Sequence, residues 1–392
     1  MMKKLANETS NMTWIEEKKL NSDLSNKVTI LALKQCNTDY DTNNDIGNLK
    51  LGIPGPDTIL RNEREIKPEP HRRMPKKIVI LTYMRSGSSF IGDILQRDPG
   101  VFYLFEPLRM IQHSVRAPGE NFLKMSARTF EAWLDCRPED LGIVVWDDGF
   151  LTSKSNRAKV FHSCFKEERP KRTVEDARAF CTQKIKKVCL SSANIVTKII
   201  RMPMYIFDES LQKYEDMKIV HLIRDPRPTL LSQRAYGNFN EKNMIAYATR
   251  YCNRVLRDVL AAEFLEKKYP GRILTLFYED LAKHTVKVGR QLYSFTGLNF
   301  TKDVELYIHN ITKGKPTACD KGHTMCTIKS NSAALAEKWR DKIDFTFVQH
   351  VDEACKPLLY ELRLKEIPTL KKLRDKDLNH LMILDGVDDK IA

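Results

Sequence analysis

The chain has 392 residues, 42% of them hydrophobic, and carries 65 Lys and Arg against 51 Asp and Glu, a formal charge of +14. It is long enough to bury a sizeable core in one large or two modest domains. Its longest apolar run near the N-terminus, VTILAL at 28–33, falls far short of the roughly 18–20 residues that span a bilayer. The positive excess favours polyanionic partners (nucleic acid, anionic membrane or acidic polysaccharide) without choosing among them.

Residues 1–74 are polar, rich in Asn and Lys, and punctuated by GIPGPD and KPEPHRRMP; they read as a flexible stem or linker. The compact part is predicted over 75–365, with a C-terminal tail at 366–392. KKIVIL (76–81) reads as a short buried strand bounded by Pro75. TYMRSGSSFIGDIL (82–95) follows it. Beyond Ser89 the spacing turns helical, with Phe90, Ile94 and Leu95 on one face and Asp93, Gln96 and Arg97 on the other, and Ser88 or Ser89 as the expected N-cap. A strand, a tight loop and a helix start converge backbone N–H groups and the positive end of the helix dipole on one point, which suits phosphate or sulfate. Gly87 lets the backbone approach, Arg85 adds a charged fork, and Ser86, Ser88 and Ser89 add hydroxyl donors. The loop lacks the Gly-Lys-Ser/Thr end of a Walker A motif. Taken alone it reads equally as an ordinary strand-to-helix turn capped by serine.

Next comes VFYLFEPL (101–108), an apolar run that is predicted to be buried and to deliver Glu106 ahead of Pro107. IVTKII (195–200), MKIVHLI (217–223) and RILTLFYEDL (272–281) are further strand candidates. Met244, Ala248, Tyr251, Val255 and Val259 mark one face of a long helix that Pro270-Gly271 ends. Alternating strands and helices predict an α/β fold, a central parallel sheet with helices on both faces. Ligands in such sheets lie at the carboxyl ends of the strands. RDPRPTLLSQR (224–234) repeats the logic of the first loop, offering Arg224, Arg227, Ser232 and Arg234 after an apolar strand. Two such loops suit a ligand with two separated anionic groups.

Nine cysteines lack the C-x-x-C pairing of a convincing zinc site, so no metal is expected; CDKGHTMC (319–326) reads as a closed loop or two unrelated thiols. Sequons at Asn7, Asn11, Asn299 and Asn310 permit a secretory location.

RSGSSF after a strand, then VFYLFEPL, then LIRDPRPTLLSQR, together resemble the Golgi carbohydrate 6-O-sulfotransferases that act on galactose, N-acetylgalactosamine or N-acetylglucosamine, with the chondroitin and keratan sulfate branch the most similar. The likeness covers about residues 76–365, including YEDL, SNSAALAEKWR and VDEACKPLLYEL. It implies a P-loop-like sulfotransferase fold and transfer of sulfate from 3′-phosphoadenosine 5′-phosphosulfate (PAPS) to a sugar 6-hydroxyl. In that family the first loop binds the 5′-phosphosulfate and the second the 3′-phosphate. Carried onto this sequence, these are Arg85, Ser86, Gly87, Ser88, Ser89, Phe90 and Ile91, and Arg224, Asp225, Pro226, Arg227, Pro228, Thr229, Leu230, Leu231 and Ser232. Glu106 is the expected base, with burial raising its pKa and Arg85 opposing; His113 and His221 are the fallbacks. Lys198 is the expected stabiliser of charge on the transferring group. The implied partners are a nucleotide cosubstrate and a glycan or glycosaminoglycan, not nucleic acid, in the Golgi lumen. The family's membrane anchor has no counterpart in this sequence, and Arg109 and Pro228 stand in stretches that vary on the acceptor side. Oligomeric state is left open. The rival readings are a P-loop-like kinase, which would need a loop lysine and Mg²⁺ ligands, and a non-catalytic polyanion binder, which leaves both loops unexplained.

Overall fold

The computed structural model describes residues 74–114, 120–146, 148–313 and 327–375. Expectations placed on residues 1–73, on CDKGHTMC and on 376–392 lie outside these. Five runs of mostly apolar residues form strands: β1 (Lys76–Leu81), β2 (Val101–Phe105), β3 (Asn194–Ile199), β4 (Lys218–Ile223) and β5 (Ile273–Phe277). They pair in the order β2-β3-β1-β4-β5, all parallel. The period-two pleat sends Val79, Leu81, Phe102, Leu104 and Ile195 into one core and Ile78, Ile80, Val101, Tyr103 and Val196 into another. Both faces are therefore covered, which is why the strands read as continuous apolar runs. β2, the buried run of VFYLFEPL, is an edge strand buried at all five positions. The YED of RILTLFYEDL leaves the sheet and starts a helix.

The helices that bear on function are α1 (Ser88–Leu95), α2 (Gly149–Lys154), α3 (Lys159–Glu168), α4 (Val174–Leu190), α5 (Pro226–Ala235), α6 (Met244–Lys268), α7 (Tyr278–Lys283) and α8 (Phe345–Ala354). α6 ends at Lys268, before the Pro-Gly pair that follows. A third core joins α6 and α8 to Tyr83, Ile223 and Leu230, and it buries Ile367 and Leu373 near the end of the described chain. Disulfides link Cys136 to Cys189, Cys164 to Cys181 and Cys252 to Cys355.

Candidate active site

β1 and β4 are neighbours, so the loops that follow them open side by side at the carboxyl edge of the sheet. In the first loop, Ser86 is wholly buried and binds inward: its Oγ accepts from the Tyr83 amide at 3.2 Å and meets Thr82 Oγ1 at 2.5 Å. It shapes the turn instead of facing outward. The N-cap of α1 is Gly87, not a serine; its φ is 88° and no side chain caps the helix. The Phe90 and Ile91 amides donate to the Gly87 carbonyl at 3.0 and 3.4 Å, which leaves those of Ser88 and Ser89 for an external acceptor. A Cβ on Gly87 would fall 2.1 Å from Tyr278 Cδ2, so only glycine lets the α7 tyrosine pack here. Ser88, Ser89 and Phe90 line a cavity of about 450 Å³, as do Arg85 and Gly87. Ile91 points into the core.

In the second loop, Arg224 donates from Nη1 to the Arg85 carbonyl at 2.9 Å and lies over the Tyr278 ring at 4.5 Å. Its Nε is buried with no hydrogen-bond partner, 4.0 Å from Glu279 Oε1. Burial pushes Glu279 up to about 7, against the pull of Arg224. Asp225 caps α5 by accepting from the Arg227 amide. Arg227 is fully buried and turned into the fold: Asp225 at 3.2 Å, Asp352 at 2.5 Å and the Lys365 carbonyl at 2.8 Å occupy its guanidinium. Pro226, Pro228, Thr229 and Leu230 are buried with it, and Leu231 packs against the third core. Ser232 accepts from Arg85 Nε at 3.0 Å, joining the two loops. Of the nine second-loop residues, Arg224 alone lines the cavity and Ser232 reaches its wall through Arg85.

Glu106 stands at the end of β2 with φ at 47° and its amide on the Lys198 carbonyl. One carboxylate oxygen meets Lys198 Nζ at 2.8 Å and the other Arg201 Nη1 at 2.5 Å. Burial pushes the carboxyl up, but the two cations outweigh it and hold it below its ordinary value. The expected rise is thus reversed, and the opposing charges are Lys198 and Arg201, not Arg85. Lys198 is 1% exposed, and its own pKa is lowered by burial, with Glu106 resisting. Arg201, missed in the sequence, follows β3 by two residues and donates to Gln112 Oε1 at 2.6 Å. Residues just past a strand's carboxyl end were the available signal. Arg109, whose amide donates to the Glu106 carbonyl at 3.0 Å, also lines the cavity; it pairs with Asp148 at 3.1 Å and lies 4.6 Å from the Phe150 ring centre.

His221, the alternative base, is fully buried and bonds Tyr83 Oη at 2.8 Å; burial lowers it to about 3. It does not line the cavity. Tyr83 also donates to Asp258, and Arg254 of the same helix holds the Ile200 carbonyl beside Arg201. The side chain of His113 lies outside the described residues.

An anion cradle with a glycine-gated approach, facing a carboxylate pinned between two cations at the edge of a five-stranded parallel sheet, is the equipment of a group-transfer enzyme. Residues 75–302 match the sulfotransferase family, and the chain belongs to it. Human carbohydrate sulfotransferase 5 is 28% identical over 77% of this chain and 80% of its own length. Human carbohydrate sulfotransferase 1 is 25% identical over 76% and 81%. Mouse sulfotransferase SULT7A1, solved with PAP, is 14% identical with a TM-score of 0.39, over 73% of this chain and 85% of its own.

Proposed function

We propose that this chain transfers a sulfuryl group from PAPS to the 6-hydroxyl of a galactose, N-acetylgalactosamine or N-acetylglucosamine residue in a glycan or glycosaminoglycan. The observation that carries the reading is Glu106, ionised by Lys198 and Arg201 and sharing one cavity with the Gly87–Phe90 cradle. The Arg224 Nε, buried without a hydrogen-bond partner, and the crowding at Gly87 fit an anionic nucleotide held close to backbone. PAPS would supply a sulfur already joined to a phosphate leaving group.

The amides of α1 with Arg85, Ser88 and Ser89 hold the anionic end at the chemistry, and Arg224 of the second loop holds the second anion. Glu106 takes the proton from the acceptor hydroxyl as its oxygen bonds to sulfur and the sulfur–oxygen bond to the phosphate breaks. Its low pKa keeps the carboxylate ready. Lys198 and Arg201 orient it and place positive charge beside the oxygens of the transferring group. The names of the curated relatives support a carbohydrate acceptor. Three disulfides support folding in an oxidising compartment, and a Golgi lumen location accords with them. Labelled PAPS offered with chondroitin, keratan sulfate and N-acetylglucosamine-ended glycans, followed by disaccharide analysis, tests the reading. Label at a 6-position supports it; no transfer to any acceptor refutes it.

A further inference from the structure

The α3–α4 hairpin carries a concentration of charge that the chemistry above does not use. From Lys154 to Leu190 stand eleven Lys and Arg against four Asp and Glu, half of the chain's formal excess of +14. The fold sets the tip of this hairpin on the cleft side. α4 feeds β3 at the amino end of the sheet, where Ala193 and Asn194 donate to the Gly100 carbonyl at 2.9 and 3.1 Å. α3 starts near the same end, with Arg157 Nη1 on the Pro99 carbonyl at 3.0 Å. The length of α4 is about 25 Å, against about 20 Å for a strand of β3's length. Its Cys181, Ile185 and Cys189 share a core with Phe102 and Leu104 of β2. The 169–173 turn therefore rises to the level of the strands' carboxyl ends, on the β2 side where Glu106 stands. The Cys164–Cys181 disulfide clamps the two helices together.

Near the turn, Phe180 is 39% exposed, with the Arg172 guanidinium 4.6 Å and the Lys184 ammonium 5.0 Å from its ring centre. Lys171 and Arg172 share one carboxylate, Glu168, at 3.4 and 2.9 Å, and Arg169 beside them is exposed. Charge is thus left over for an outside anion. A part-exposed aromatic ring held among cations complements a pyranose bearing sulfate or carboxylate: the sugar's anions meet the cations while its C–H groups pack on the exposed part of the ring. A flexible single-charge patch would lack the aromatic platform, and duplex DNA, with its bases stacked on one another, would gain nothing from the ring.

We propose that this hairpin is a second binding site, which grips an anionic stretch of the acceptor polysaccharide beyond the sugar that reacts at Glu106. The inference rests on the carbohydrate reading of the acceptor. The test uses the full chain with Arg169→Ala, Lys171→Ala, Arg172→Ala and Lys184→Ala combined. A control carries Arg257→Ala, Lys267→Ala, Lys287→Ala and Lys302→Ala, an equal charge loss elsewhere on the surface. On immobilised chondroitin sulfate the hairpin variant should elute at lower salt than the control. With polymeric acceptor its KM should rise about tenfold at unchanged kcat, and with a short oligosaccharide neither constant should move. Phe180→Ala should weaken chondroitin binding and leave binding to duplex DNA unchanged. Equal elution of hairpin and control variants, or Phe180→Ala that weakens DNA and polysaccharide alike, would overturn the site. The column arms decide this even if no acceptor were sulfated, so a failed exosite and a failed transferase are told apart.

Discussion

Two of the four non-glycine residues with positive φ among those described, Arg85 and Glu106, line the same cavity. Left-handed backbone at such residues costs of order 1–3 kcal/mol and persists where packing enforces it. At Glu106 the enforcement is visible in the β3 carbonyl and the two cations that hold it. Glu106→Gln should keep the fold and nucleotide affinity, at some cost in stability from the lost ion pairs, while turnover falls by roughly 10²–10⁴, measured by initial rates and by titration with PAP. Because the Glu106 pKa is depressed, its carboxylate and the stability from its ion pairs are present above the ordinary carboxylate pKa. Both are lost as pH falls through the lowered value, so Glu106 contributes no acid limb to the rate near neutrality. Glu279 behaves oppositely. Its pKa rises from 4.5 to about 7, so the native state holds the extra proton in that window and stability declines as pH rises through it. Glu279→Gln should flatten that slope in denaturant titrations run across the same range; an unaltered slope would remove Glu279 as its source. Arg85→Ala and Arg224→Ala should each weaken nucleotide binding about ten- to hundredfold by calorimetry, each removing a charge-assisted contact of roughly 1.5–3 kcal/mol. Only the Arg224 change should narrow the preference for a 3′-phosphorylated nucleotide.

At the scale of elements, the strands were legible because parallel strands buried on both faces leave apolar runs bounded by turn residues. The two loops were legible because each follows such a run. What stayed hidden is side-chain direction. Arg224 and Arg227 lie three residues apart with the same chemistry, yet one faces the cavity and the other is buried. The difference is made by Asp352 on α8, 125 residues from Arg227, which no local pattern announces. Ser86 and Ile91 were hidden for a similar reason: a turn that binds its own serine and a helix that docks on a core choose which residues look outward. Asp352→Ala would leave the buried Arg227 guanidinium short of a partner, so α5 and the loop before it should lose about 3 kcal/mol of support. Chemical denaturation should register that loss, and nucleotide affinity should drop with it although Asp352 lies outside the cavity.

At the scale of the whole molecule, three covalent staples among the described residues tie helices to their neighbours. Cys136–Cys189 and Cys164–Cys181 hold the β2 side, and Cys252–Cys355 joins α6 to the end of α8. Expressed behind a secretion signal, the protein should show these three pairs by peptide mass mapping, and reduction should lower its melting temperature. Asn299 is exposed in the loop ahead of the helix Lys302–Thr312, whereas Asn310 lies within that helix. Glycosidase treatment should therefore release more glycan from Asn299 than from Asn310. A protein with all of its cysteines free and no mobility shift would belong to a reducing compartment instead.

The ion pair between Arg227 and Asp352 also sets an order of events in time. A nascent chain grows from its N-terminus, so the loop carrying Arg224 and Arg227 is made long before Asp352 and the Lys365 carbonyl that complete its foundation. Until they emerge, Arg227 has only Asp225 for company and a large share of the burial it needs is missing. The segment matching the family ends at residue 302, ahead of both partners. A chain cut there would contain Gly87 to Phe90, Arg224 and Glu106 and still lack the Asp352 and Lys365 contacts that anchor the buried Arg227 of the second loop. Competence to hold the nucleotide should thus arrive late and all at once, when the segment carrying Asp352 and Lys365 completes a site whose parts were laid down early.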